Sequence, residues 1–132
     1  MNYTQLIEKA LSARDNAYAP YSSFCVGAAL LCANGKIYTG CNVESASYTP
    51  TCCAERTAFL KAVSEGERSF LAIAIIGGNK SSADFDFCSP CGVCRQVMSE
   101  FCDDGFKIIL ANSAGEYKIF TLAELLPLNF KL

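Results

Sequence analysis

Two short stretches gather most of the chemistry this chain can offer. One reads Cys52-Cys53-Ala54-Glu55-Arg56, the other Cys88-Ser89-Pro90-Cys91-Gly92-Val93-Cys94-Arg95-Gln96. Thiolates are soft ligands, and a tetrahedral set of them selects zinc. Cys91 and Cys94 stand three residues apart, so in the first turn of a helix they share a face and can grip one ion. Cys53 or Cys52 could complete a three-thiolate set, while Cys88-x-x-Cys91 offers a competing pair. Three thiolates with a fourth position left to water would make a catalytic site, and Glu55 could then move protons to and from that water. Four would close the site and make it structural.

Both stretches open predicted helices, whose positive ends lower thiol pKa values and favour the thiolate. On an ideal helix Cys53 and Glu55 lie about 200° apart around the axis. Both can address one ion only near the helix's N-terminal end, toward which side chains lean. The metal is thereby expected between two helix starts.

The rest of the composition narrows the chemistry further. The 132 residues include nine cysteines and no histidine. That removes Ser–His and Cys–His pairs, an imidazole base and any imidazole metal ligand. Proton transfer falls to a carboxylate, lysine, tyrosine or thiol. An odd cysteine count forbids complete pairing within one chain, and nine in 132 lies just under the ~8–10 % that marks a disulfide scaffold. Glu8, Lys9, Arg14 and Asp15 interrupt the start of the chain where a signal peptide needs an apolar run. The apolar stretches around 24–33 and 70–78 reach about half of the ~20 residues a membrane helix requires. These features predict a cytoplasmic chain with reduced thiols and no membrane partner. A formal charge of -2 gives no basis for a nucleic-acid partner, which would require neutralised phosphates. With 52 % hydrophobic and 18 % charged residues, the chain can fill an ordinary globular core.

The elements that must position these groups follow from pattern and punctuation. Residues 3–18 place Leu6, Ile7, Ala10, Leu11 and Ala17 at helical spacing, with Asn2 and Gln5 as a capping box and Pro20 as the stop. Residues 25–32 and 37–39 flank Asn34-Gly35, a hairpin signal. A helix over 52–65 would take Thr49 or Thr51 as its cap and Gly66 as its end. Residues 70–76 read as a strand buried on both faces. Pro90 would open a helix to about Phe101, followed by strands over 106–110 and 117–120 and a short helix over 121–126. The order predicts an α/β chain: a single mixed β-sheet with helices on both faces, hence three layers α-β-α, in one domain over 1–132.

These motifs resemble the signature of zinc-dependent nucleobase and nucleoside deaminases, Cys-x-Glu with Pro-Cys-x-x-Cys, in its three-cysteine form. The likeness is greatest to the small homotetrameric cytidine deaminases. It runs through Tyr21-Ser22-x-Phe24-x-Val26-Gly27-Ala28-Ala29-Leu30, Gly40-x-Asn42-Val43-Glu44-x-Ala46-Ser47-Tyr48 and Cys53-Ala54-Glu55-Arg56-Thr57-Ala58. Ser89-Pro90-Cys91-Gly92-x-Cys94-Arg95-Gln96 and Leu125-Leu126-Pro127-x-x-Phe130 complete it.

The resemblance implies a cytidine-deaminase-like fold and hydrolysis of cytidine and 2'-deoxycytidine to the uridine products and ammonia, in pyrimidine salvage. It implies one zinc per subunit on Cys53, Cys91 and Cys94, with Glu55 carrying protons. Phe24 would stack on the pyrimidine, Asn42 and Glu44 would hold the ribose hydroxyls, and Ala54 would join the substrate contacts. Tyr48 and Phe130 would reach into a neighbouring subunit's site, so that a homotetramer completes each pocket. Three thiolates overcompensate a divalent ion, so Arg56 is expected to withdraw charge from the sulfurs. Cys25, Cys32, Cys41 and Cys102 read as small core residues, and Cys52 and Cys88 as bystanders. Competing readings are a blasticidin S-type deaminase with the same metal centre, a polynucleotide-editing enzyme, and a structural-zinc or thiol-redox module using Cys88.

Overall fold

In a computed structural model, which describes residues 2–132, the turn at Asn34-Gly35 folds β1 (Phe24–Cys32) onto β2 (Ile37–Cys41). Gly35 sits at φ +90°, where a side chain would be strained, and this is why Asn-Gly marks the position. Around the hairpin run α1 (Tyr3–Arg14), α2 (Ala54–Ser64), β3 (Phe70–Asn79), α3 (Gly92–Phe101), β4 (Lys107–Ala111), β5 (Tyr117–Thr121) and α4 (Leu122–Leu125). The strands form one five-stranded sheet in the order β2-β1-β3-β4-β5. Only β3 and β4 pair in parallel, as their connection through α3 requires; the other pairs are antiparallel.

Strand alternation divides the core between two faces. Val26, Ala28, Leu30, Ile73, Ile75, Ile108 and Leu110 face α2 and α3, packed around Phe59, whose ring meets Phe70, Phe101 and Phe106. Ala29, Ala72, Ala74 and Ala111 turn small side chains toward α1, with Ile76 and Ile109 among them. The three-layer α-β-α arrangement with a single mixed sheet is the one expected.

Two glycines let helices touch the sheet backbone. A β-carbon on Gly27 would lie 1.9 Å from the Ala10 carbonyl oxygen of α1. One on Gly40 would lie 2.4 Å from the Ala54 carbonyl oxygen and 2.6 Å from the Ala58 nitrogen of α2. The second contact fixes the height of the α2 start above the sheet.

Several boundaries differ from expectation. The first helix ends at Arg14, short of residue 18. The Arg14 guanidinium donates to the carbonyls of Cys25 and Gly78, and Tyr18 N–H donates to Asn42 O, pulling the chain out of the helix. The cap of α2 is Cys53, not Thr49 or Thr51; the Thr51 hydroxyl instead accepts from Ser45 N–H. Likewise Cys91 caps α3, so Pro90 precedes the helix instead of opening it. Gly66, at φ +98°, follows α2 as expected, and Thr121 with Glu124 forms a capping box on α4.

Candidate active site

Both cysteine caps are extended, Cys53 at φ -69°, ψ 155° and Cys91 at φ -69°, ψ 167°, so each thiol projects from a helix start into the same space. The sulfurs of Cys53, Cys91 and Cys94 lie within 4.8 Å of one another. Cys53 and Cys91 are 3.8 Å apart, and Cys91 and Cys94 3.3 Å. Tetrahedral thiolates at ~2.3 Å from zinc would stand about 3.8 Å apart, so the donor set fits that ion with minor adjustment. Cys52 and Cys88 do not belong to this three-sulfur group.

The charges around the sulfurs favour a thiolate. The Cys53 thiol is held down to about 5, first by its hydrogen bond with Cys94, then by Arg56 and Cys91. Cys94, which shares that bond and is buried, is pushed up. Arg56 Nη2 donates to Cys53 Sγ and to Thr51 O, both at 3.4 Å. Its Nε is buried without a hydrogen-bond partner among the described residues. Glu55 is 4 % exposed, and burial pushes its carboxyl up to about 7.

A cavity of about 240 Å³ opens beside these groups. Cys53, Cys91 and Glu55 contribute to its wall, with Phe24 and Val26 from β1 and Asn42 and Glu44 from beyond β2. No lysine or arginine lines it. Phe24 remains 42 % exposed although it begins a core strand, so its ring is free for the cavity.

Asn42 and Glu44 are both held by hydrogen bonds. Asn42 Oδ1 accepts from Val26 N–H at 2.8 Å, and Nδ2 donates to Phe24 O at 2.7 Å, extending the β1–β2 pairing with a side chain. Glu44 Oε1 accepts from the N–H groups of Tyr21 and Ser22 at 3.0 and 3.1 Å, and Oε2 accepts from the Ser22 hydroxyl at 2.5 Å. These bonds, the hydroxyl foremost, hold the Glu44 carboxyl below its usual range.

Three expected residues lie elsewhere. The Ala54 side chain is fully buried in the core under α2, so only its backbone could face a substrate. Tyr48 is 76 % exposed, at φ +63°, beside a second cavity of about 250 Å³ that shares Ser22, Glu44 and Thr51 with the first. Phe130 is 65 % exposed, its carbonyl accepting from Gln96 Nε2. Ser22, Thr51, Cys52, Cys88 and Ser89 line the first cavity without having been singled out for it. Ser22 lay inside a matching motif; Cys52 and Cys88 flank the ligands in sequence, which gives no sign of which way a thiol points. Cys25, Cys32 and Cys102 are buried and Cys41 is partly so, as core positions should be.

A three-thiol metal site beside a buried carboxyl, at the floor of a cavity, defines a zinc-dependent hydrolase. The profile for the cytidine and deoxycytidylate deaminase zinc-binding region matches residues 1–110, and the chain belongs to that family. It is 49 % identical over 127 residues to the cytidine deaminase of Sporosarcina psychrophila, covering 96 % of this chain and 90 % of that one. The crystal structure of cytidine deaminase from Burkholderia pseudomallei superposes with a TM-score of 0.90 at 45 % identity, covering 98 % of this chain and all of that chain. The blasticidin-S deaminase of Bacillus cereus is more distant, 32 % identical over 108 residues, or 80 % of this chain and 76 % of that one.

Proposed function

We propose that this chain hydrolyses cytidine and 2'-deoxycytidine to uridine and 2'-deoxyuridine, releasing ammonia. The observation that carries this reading is the Glu55 carboxyl, buried next to the three-sulfur group at the floor of a cavity flanked by Phe24 and Glu44. Cys53, Cys91 and Cys94 hold the zinc, which when bound supplies Lewis-acid activation of the attacking water. Glu55 takes a proton from that water and passes it to ring N3 as the oxygen bonds to C4. It then delivers the water's second proton to the amine nitrogen as the C4–N bond breaks. Phe24 stacks on the ring, and the thiolate charge is moderated by Arg56, whose guanidinium already donates to Cys53 Sγ. Asn42 and Glu44 hold the ribose hydroxyls, and Ala54 contributes its backbone only.

A nucleoside is favoured over a nucleotide because Glu44, held ionised by its hydrogen bonds, would repel a phosphate. Nothing in the wall favours the antibiotic substrate. The four-cysteine structural reading lacks support, since Cys88 stands outside the sulfur group.

Residues 1–132 are read as one domain, supported by the single sheet that both core clusters share. The chain works as a homotetramer in which Tyr48 and Phe130 complete a neighbour's pocket. Their exposure supports this, as does an apolar groove along α2 and α3 where Leu60 and Val93 are 53 % and 58 % exposed. Among the described residues no helix is long and apolar enough to cross a membrane. The test is bound zinc per chain and ammonia released from cytidine, measured on one preparation. About one zinc with turnover is expected; zinc without turnover sinks the enzymatic reading, and turnover after complete zinc removal sinks the mechanism.

A further inference from the structure

We propose that Ser22 is a positioning residue for sugar recognition, its hydroxyl fixing the Glu44 carboxylate on one side and the Phe24 backbone on the other. The inference rests on the reading that Glu44 holds a ribose hydroxyl. Ser22 Oγ donates to Glu44 Oε2 at 2.5 Å and accepts from Phe24 N–H at 3.0 Å. One serine thus joins the group that would meet the sugar to the residue that would meet the base.

The hydrogen-bond inventory of Glu44 shows what this bond does. Oε1 already accepts from two backbone N–H groups, Tyr21 and Ser22, which fills its two lone-pair sites. Oε2 accepts from one hydroxyl and keeps one site open, so Oε2 is the atom left for a substrate hydroxyl. The Ser22 hydrogen selects which side of Oε2 that open site occupies. With it removed, the carboxylate remains pinned through Oε1 but can turn about that point, and Oε2 no longer presents a fixed direction.

The turn around Ser22 is built to keep this alignment. Ser23 adopts φ +59°, a left-handed conformation that a non-glycine residue holds only under constraint. Its N–H donates to Ala19 O and its carbonyl accepts from Lys80 N–H, so the turn is fastened at both ends. Ser22 and Glu44, with Thr51, line both cavities.

The test compares Ser22→Ala and Ser22→Thr as zinc-loaded enzymes, each also in a Glu44→Ala background. Cytidine is the substrate and 2',3'-dideoxycytidine the competing ligand that lacks both hydroxyls. Ser22→Ala should raise the KM for cytidine about tenfold while kcat stays within about twofold, the split expected when ground-state and transition-state binding are lost equally. The Ki of the dideoxy ligand should change less than about threefold, and Ser22→Thr, which keeps the hydroxyl, should restore KM to within about threefold. In the Glu44→Ala background, Ser22→Ala should add less than about twofold, the mark of two residues acting as one unit. An unchanged KM, an equal loss for both ligands, or the same loss without Glu44 overturns the proposal. Should Ser22→Ala lose zinc or its thermal transition, Ser22→Cys takes its place: its weaker donor should give an intermediate KM, and a native KM overturns the proposal. Failure of the underlying reading looks different. In that case Glu44→Ala alone would affect cytidine and the dideoxy ligand alike.

Discussion

The starts of α2 and α3 meet at one cavity but are built for different work. At α3, the cap thiol of Cys91 accepts from Cys94 N–H at 3.4 Å, and Cys94 is buried. Arg95 ties the turn down, donating to Pro90 O at 2.8 Å, to the Ser89 hydroxyl at 2.7 Å and to Leu125 O at 2.6 Å. At α2, Cys53 makes no side-chain cap bond; its sulfur instead receives Arg56. The same first turn carries Glu55, whose carboxyl has the cavity beside it. One helix start is a self-braced clamp with two of the three sulfurs that could hold a metal, and the other brings the third sulfur together with the carboxyl proposed to move protons. Such a division lets the packing of a single helix set the carboxyl beside the Cys53 sulfur.

The largest test of that division is Glu55→Ala. Removing a general acid–base group that serves several proton transfers should lower kcat/KM by about 10⁴-fold. Zinc content should remain at the native level, because the clamp and Cys53 are untouched. If zinc is lost along with activity, Glu55 belongs to the holding machinery and the contrast between the two starts fails.

Arg56→Gln comes next. Without the guanidinium the sulfur group keeps its full negative charge, and groups that support metal ligands from behind typically contribute 10–100-fold. We expect a fall of about that size in kcat/KM, with weaker zinc retention against a chelator. Arg95→Gln, at the other helix start, contacts no sulfur but secures backbone. Its effect should therefore show in thermal stability and zinc retention more than in kcat. Equal kcat losses in the two variants would erase the distinction drawn between them.

Two glycines separate the starts mechanically. A methyl at Gly40 would collide with the backbone of Ala54 and Ala58, whereas one at Gly92 meets nothing within 4 Å. Gly40→Ala should destabilise the fold by about 1–3 kcal/mol and lift α2 away from the α3 clamp. Gly92→Ala, in the first turn of α3, should fall within about 0.5 kcal/mol of the native protein. Calorimetry on both variants, with zinc titration, measures the difference. A costly Gly92→Ala would show that the α3 start is the tighter of the two.

Much of this was legible in the sequence because it depends on local rules. The Asn34-Gly35 hairpin, the apolar β3 run and the Cys-x-Glu and Cys-x-x-Cys spacings each state their geometry within a few residues. The helix starts differ from the expected ones for a reason tied to function. Cap preferences favour Thr51, and first-turn preferences favour Pro90, yet Cys53 and Cys91 are the caps because their thiols must converge across 38 residues of chain. Asn42 is expected to serve the substrate, and no local pattern discloses that its amide also holds β1 through one hydrogen bond at each end. The linkage of Ser22 to Glu44 was hidden in the same way, since it joins residues 22 positions apart. What sequence spacing cannot express is which neighbour an exposed polar group finds after the sheet has formed.

The smallest expected effect on zinc binding belongs to Cys88→Ala, which separates the three-sulfur reading from a closed four-sulfur one. Cys88 lies in the cavity wall and packs against the core beneath α2 and α3. Burial, followed by the charges of Glu55 and Cys53, pushes its thiol up to about 12, and its sulfur stands outside the three-sulfur group. Trimming its sulfur from a cavity wall should lower kcat/KM by less than about tenfold, through loosened packing against the substrate. Zinc per chain should be unchanged, and the chelator concentration that removes half of it should stay within about twofold of native. If Cys88→Ala instead strips the zinc as Cys94→Ala should, the fourth position is a thiolate and not open to water. The α3 clamp would then hold three of four ligands, and Glu55 would lose its place in the chemistry.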